Sequence, residues 1–221
     1  MGSKNSFSYS HPRPALTVDA VLFSYTGNEL KVVLIQRADD PFKNRWAFPG
    51  GFVEENETVE MAVEREVYEE TNLNIGKYYQ FYFASGAGRD PRGWTVSCCY
   101  LGFINWENAS LKAGDDAKNA SWFSLINLPA LAFDHEHIFL KARDYMKKII
   151  RFSVISSDVL PEVFLFEQVH SIYFQISGSK DETDILIQRL IDKRIIVPHT
   201  YSDLYTFHKE HYTKVKRYGF I

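Results

Sequence analysis

Cysteine is scarce in this chain of 221 residues: Cys98 and Cys99 are the only two. Two adjacent cysteines inside a strand-like run cannot build a disulfide framework, and they read as reduced core or cross-face side chains. Long apolar runs are missing too. None approaches the roughly 20 residues of a membrane span. The polar start Met1-Gly2-Ser3-Lys4-Asn5-Ser6 lacks the pattern of a secretory signal. The expectation is a cytoplasmic chain with no membrane partner. Nor is there an excess of charge of one sign. Lys+Arg 25 against Asp+Glu 28 gives a net charge of -3, which offers no general reason to expect nucleic acid or an anionic surface as partner. Internal repeats and low-complexity stretches are absent. What is present is 45% hydrophobic content with 15% aromatics, ample for the core of one large domain or two small ones.

Residues 16–25 and 30–37 read as strands joined by a turn at Thr26-Gly27-Asn28, the second rich in β-branched side chains. A polar loop follows over 39–45. The pattern then predicts a helix over about 57–71, strands over 78–84 and 94–103 around a loop at 85–93, and a short strand over 120–125. Leu128-Pro129 opens a turn. A further helix is predicted over 133–150, with Ile138, Leu140, Ala142, Tyr145, Met146 and Ile149 in its periodicity. This mixture predicts an α/β fold for residues 1–150, a mixed sheet sandwiched between helices. After Arg151 the texture changes, and residues 151–221 read as a second unit. A helix over 160–173 with Pro161 in its first turn, a helix over 183–193, and a hairpin of 195–197 with 203–207 across Pro198-His199-Thr200-Tyr201 give the order of a small winged-helix-like α+β domain.

The chemistry concentrates between Gly51 and Leu73. Glu66, Glu69 and Glu70 stand at i, i+3 and i+4, so a helix projects them to one side. Like charges at that spacing repel by a few tenths of a kcal/mol per pair, and a helix holds them more readily beside a cation. Hard oxygen donors suit Mg²⁺ or Mn²⁺, which keep several waters and bind substrate phosphates as well. Glu57 falls near the helix start, where an anion suits the helix dipole. Val59, Ala62, Val63 and Val67 supply the buried face. Trp46-Ala47-Phe48-Pro49-Gly50-Gly51 precedes the run and lets the chain reverse before the helix.

This arrangement resembles the Nudix box, G-x5-E-x7-R-E-U-x-E-E-x-G-U with U apolar. Gly51, Glu57, Arg65, Glu66, Val67, Glu69, Glu70 and Leu73 fall on its positions. Asn72 stands where the pattern has glycine, and asparagine is the next best residue for a left-handed cap. Beyond the box, Arg89-Asp90-Pro91-Arg92-Gly93, then Gly114-Asp115-Asp116-Ala117 before Trp122, look like bacterial ADP-ribose pyrophosphatases of the Nudix superfamily. The stretch Leu128-Pro129-Ala130-Leu131-Ala132-Phe133-Asp134-His135 is similar to these and to Nudix-related transcriptional regulators, which join a Nudix domain to a C-terminal winged helix.

The resemblance implies Mg²⁺-dependent (or Mn²⁺-dependent) hydrolysis of a nucleoside diphosphate derivative, ADP-ribose to AMP and ribose 5-phosphate. Glu57, Arg65, Glu66, Glu69 and Glu70 form the catalytic set, and Gly51, Glu66, Glu69 and Glu70 the metal set. Arg65 is expected to pair with a box glutamate and fix its orientation. Candidates for the substrate are Arg37 and Arg45 at the phosphates, Trp46 or Phe48 against adenine, and Arg89 and Arg92 at the distal phosphate or ribose. Asp115 and Asp116 are placed on a loop that approaches the site. The box fixes the reaction type and not the leaving group, so a damaged nucleotide, a dinucleoside polyphosphate or NADH stays open as substrate. A homodimer is expected from the family.

The alternative function is an ADP-ribose- or sugar-nucleotide-sensing transcriptional regulator that binds DNA through its tail. Three features disfavour it. Every charged box position is intact, and residues 151–221 carry nine Lys+Arg against nine Asp+Glu, with no net basic footprint. The helix placed to read DNA opens Asp181-Glu182-Thr183-Asp184, which repels phosphates. Lys209, Lys214, Lys216 and Arg217 gather at the end, where a wing could use them on the backbone.

Overall fold

The computed structural model describes residues 10–114, 117–200, 203–208 and 210–213. Its first half is a six-stranded mixed sheet of β1 (Ala15–Thr26), β2 (Glu29–Arg37), β3 (Trp46–Ala47), β4 (Lys77–Ser85), β5 (Thr95–Phe103) and β6 (Ala117–Ser124). β1 runs parallel to β5 and antiparallel to β2; β4 borders β5, and β6 pairs with β2. Gly27 and Asn28 both adopt positive φ, 60° and 62°. That is the backbone a two-residue hairpin turn needs to match the twist of its strands.

The sheet separates two apolar layers, and alternation along β1 assigns each side chain to one of them. Val18, Ala20 and Leu22 pack with Ala62, Val63 and Val67 of α1 (Val59–Thr71). Val21, Phe23 and Tyr25 pack with Ile138, Ala142 and Met146 of α2 (His135–Ile149). Each such side chain stabilises the fold by about 1.5–3 kcal/mol when fully buried. Cys98 belongs to the α1 layer and Cys99 to the α2 layer. Both are free and buried, and adjacent residues on opposite faces of a strand have no means of bridging.

Beyond Ile150 come α3 (Ser156–Val159), β7 (Val163–Leu165), α4 (Phe166–Ser177), α5 (Lys180–Asp192), β8 (Ile196–Pro198) and β9 (Leu204–Phe207). The three strands form a second sheet, β7-β9-β8. Val169, Ile172, Tyr173 and Ile176 of α4 join the apolar cluster that contains Phe23 and Leu30. Polar contacts fix the same junction. Gln175 accepts from Leu30 N at 2.8 Å and donates to Asn28 O at 3.2 Å. Lys77 Nζ lies 2.9 Å from Asp158 Oδ2. No helix of the described residues is long and apolar enough to cross a membrane.

Three expectations need correction. Residues 160–173 are not one helix, because 163–165 pair with β9 and Phe164 is buried. Tertiary pairing overrides local propensity here, and Pro161 precedes a strand. Leu140 is 52% exposed, off the phase set by Ile138, Ala142 and Met146. β6 begins at Ala117 rather than at 120, because its pairing with β2 continues to Arg37. Asp115, Asp116, Tyr201, Lys209, Lys214, Lys216 and Arg217 lie outside the described residues.

Asn72 ends α1 with φ 57° and ψ 22°, and its N–H bonds to Tyr68 O. Asn72→Gly should therefore keep or raise the melting temperature. Asn72→Val should lower stability by about 1–2 kcal/mol, the cost of left-handed backbone for a side chain with a branched Cβ. Thermal unfolding followed by circular dichroism checks both.

Candidate active site

Thr58 caps α1, accepting from Met61 N, and places Glu57 just ahead of the helix. Glu57, Glu66 and Glu69 then meet at one guanidinium. Arg65 Nη2 is 2.7 Å from Glu57 Oε1, and its Nη1 is 2.9 Å from Glu66 Oε1 and 3.1 Å from Glu69 Oε2. Nη2 also donates to Phe52 O. The hydrogen bond to Glu57 leads the effects that raise the Arg65 pKa, and the same bond holds the Glu57 carboxyl below its usual range.

Glu70 points elsewhere. It is 8% exposed, and its Oε2 accepts from Gly50 N at 2.9 Å. Burial pushes its carboxyl up to about 8, helped by neighbouring Glu66 and opposed by the Gly50 N–H and Arg37. Burial likewise raises Glu66. A buried carboxyl of this kind ionises at neutral pH beside added positive charge. Among the described residues no three acidic, His or Cys side chains are drawn into a ready cage. Mg²⁺ needs none, since it binds through one or two carboxylates, waters and substrate phosphates. Glu66 and Glu70 fit that use.

Two glycines make room for the cluster. A Cβ on Gly51 would stand 2.2 Å from Glu66 Oε1, so glycine lets that carboxylate cross to the strand-side chain. The Gly51 carbonyl itself accepts from Val18 N. A Cβ on Gly114 would strike Glu69 O, and Gly114 N bonds to Glu70 O. The chain just before Asp115 is thus docked on the end of α1.

Two adjoining recesses share Ile35, Arg37, Gly50, Gly51 and Arg92 and form one cleft. Its outer part, about 380 Å³, is lined by Glu66, Glu70 and Phe52. The three candidate arginines in it are not equivalent. Arg89 is bidentate to Asp134, at 3.0 and 2.8 Å, and Arg92 is paired with Asp90 at 2.7 Å. Arg37 donates only to the carbonyls of Pro41 and Asp39 and carries no ion pair among the described residues. Arg45 is exposed on the turn before β3 and is not in the cleft lining. The two expected stacking rings differ in exposure: Trp46 is half-buried and Phe48 is closed to a ligand. Trp46 packs edge-on against Phe123, and Phe48 is 1% exposed with its ring stacked on His135.

The inner end holds residues that the motif reading passed over. Asp19 is buried in β1 and bonds to Ser97 Oγ at 2.5 Å and to His135 Nε2 at 3.3 Å. His135 Nδ1 accepts from Phe48 N, which turns the ring so that Nε2 points at Asp19. A lone acid inside the apolar run 16–25 was the available signal, because a buried carboxylate requires partners.

The NUDIX domain family matches residues 13–142. The chain belongs to the Nudix hydrolase family. An ADP-ribose pyrophosphatase from Methanocaldococcus jannaschii is 45% identical over 139 residues, covering 63% of this chain and 76% of that one. The ADPR responsive transcriptional repressor NtrR of Acinetobacter baylyi is 30% identical over 190 residues, covering 84% and 76%. A crystal structure of Shewanella oneidensis NrtR complexed with a 27mer DNA superposes with a TM-score of 0.74 at 26% identity, covering 90% of this Nudix chain and 95% of that one.

Burial raises the Asp19 carboxyl, but His135, Ser97 and Arg89 outweigh it and leave it below the usual value. Stability from this ionisation is complete above the unfolded value of about 3.9 and is lost as pH falls through the folded one. Asp19→Asn should flatten the acid limb of a melting-temperature profile below about pH 4. Parallel limbs in the two proteins would contradict the assignment.

Proposed function

We propose that this chain hydrolyses the pyrophosphate of a nucleoside diphosphate derivative, with ADP-ribose cleaved to AMP and ribose 5-phosphate. The observation that carries the reading is the meeting of carboxylates and an arginine in a single cleft. Glu66 and Glu70 face it, and Arg37 lines it with carbonyl partners only. The 45% identity to an ADP-ribose pyrophosphatase supports the choice of substrate.

Glu66, Glu69 and Glu70 would hold Mg²⁺ or Mn²⁺. A divalent ion there supplies neutralisation of the pyrophosphate charge and activation of water. Arg65 positions Glu66 and Glu69 through its fork, which suits carboxylates better than a point charge. Arg37 contacts the phosphates. Asp19, His135 and Arg89 wall off the inner end and orient what enters it. We divide the protein at 150/151 into a Nudix domain and a winged-helix-like unit, and place it in the cytoplasm as a homodimer.

A second reading, a ligand-sensing regulator, is favoured by likeness to the repressor and to the DNA-bound structure over most of the chain. The exposed side of α5 argues against it. Asp181 is exposed there, Asp184 lies 3.2 Å from His170 Nε2, and Glu182 pairs with Arg151. Such a face repels phosphates.

Purified protein with Mg²⁺ should release AMP from ADP-ribose, and chelation of the metal should stop it. Glu70→Gln or Glu69→Gln should lower turnover by orders of magnitude with unchanged circular dichroism; near-normal rates would remove the metal role. Gel-shift titration at about 0.15 M salt should show no sequence-specific duplex binding, since even non-specific contacts are feeble there. A specific shift at nanomolar protein that ADP-ribose reverses would instead establish the regulator.

A further inference from the structure

The mouth of the cleft carries a stack of aromatic and guanidinium planes to which no role has yet been given. Phe52 follows Gly51 directly and keeps 41% of its surface exposed, although it lines the same recess as Glu66 and Glu70. The Arg92 guanidinium lies 4.8 Å from the Phe52 ring centroid and 5.4 Å from that of Phe133. Buried Asp90 holds the guanidinium there through Nε and Nη2. Arg37 stands 4.9 Å from the Phe133 ring. Phe133 itself has φ 51°, a left-handed backbone that a bulky side chain rarely adopts and that collects at ligand sites.

We propose that Phe52 and Arg92 form the stacking subsite for the base of the bound nucleotide. Three features support this. The Arg92 guanidinium, fixed by a buried carboxylate, lies over the half-exposed Phe52 ring and backs it, so the pair offers one supported π surface of nucleobase size. Arg92 and Arg37 line both recesses, and Phe52 shares the outer one with Glu66 and Glu70, so a base on Phe52 has its phosphates in the same recess as Arg37 and the carboxylates of α1. Of the other rings of this region, Phe48 is buried against His135, and half-buried Trp46 lines neither recess. Stacking tolerates any base. The subsite therefore selects nucleotides over sugar phosphates and discriminates weakly between adenine and guanine.

The inference rests on the nucleotide-cleft reading above, and metal-free binding separates the two. Full-length protein and the Phe52→Ala and Phe52→Tyr variants are titrated calorimetrically with AMP, GMP, ADP-ribose and ribose 5-phosphate. Phe52→Ala should weaken AMP and GMP by about tenfold and leave ribose 5-phosphate unchanged, within the range that base stacking contributes. Phe52→Tyr should restore both nucleotides. Unchanged AMP affinity in Phe52→Ala, or an equal loss for ribose 5-phosphate, overturns the stacking role while the unaltered protein still binds ADP-ribose. Absence of any nucleotide binding by the unaltered protein overturns the cleft reading and the subsite together.

Discussion

One guanidinium organises this site. Four glutamates crowded around the cleft end of a helix would repel one another, and Arg65 resolves the conflict by taking three of them. Its planar fork addresses Glu57 before the helix, Glu66 beside it and Glu69 one turn on, while Nη2 reaches back to Phe52 O. The strand-side chain is thereby fastened to α1. Glu70, left out of that network, is the carboxylate that burial and Glu66 push hardest toward protonation. A residue at position 65 with the same charge and no fork would satisfy one partner and release the others.

The tail belongs to the same mechanical unit. α4 buries Ile172 and Tyr173 in the layer under β1 and β2, and Gln175 grips the turn between those strands. The opposite end of the β1–β2 pair carries Asp19 and Arg37 in the cleft. Residues of α4 thus cover and hydrogen-bond the strands that shape the site. The acidic opening of α5 suits a helix start, where Asp181 and Glu182 face the positive end of the dipole, and suits phosphate poorly.

Much of this was legible in residue spacing. The box placed five charged side chains on one helix and its lead-in. Asn72 was read as a left-handed cap and has that conformation. The arginine–glutamate pairing followed from the fork of Arg65. What escaped were features set by distant partners. The strand at 163–165 exists because β9 lies beside it. The pairing of Arg89 depends on Asp134, 45 residues away, whose approach no local pattern records, whereas Asp90 sits two residues before Arg92 and pairs with it locally. Phe48 looked like a stacking ring because aromatic type alone does not reveal which face is covered. Phe52 and Asp19 were visible in the chain, one beside the glycine of the box and the other an acid in an apolar strand, but only the folded arrangement put them at the two ends of one cleft.

The most direct test of the central claim, attack of water on phosphorus in this cleft, is incubation of the protein with ADP-ribose and Mg²⁺ in water enriched in oxygen-18. The prediction is one labelled oxygen per turnover, found in the phosphate of either AMP or ribose 5-phosphate by mass spectrometry. Recovery of bound but intact, unlabelled ADP-ribose would contradict it.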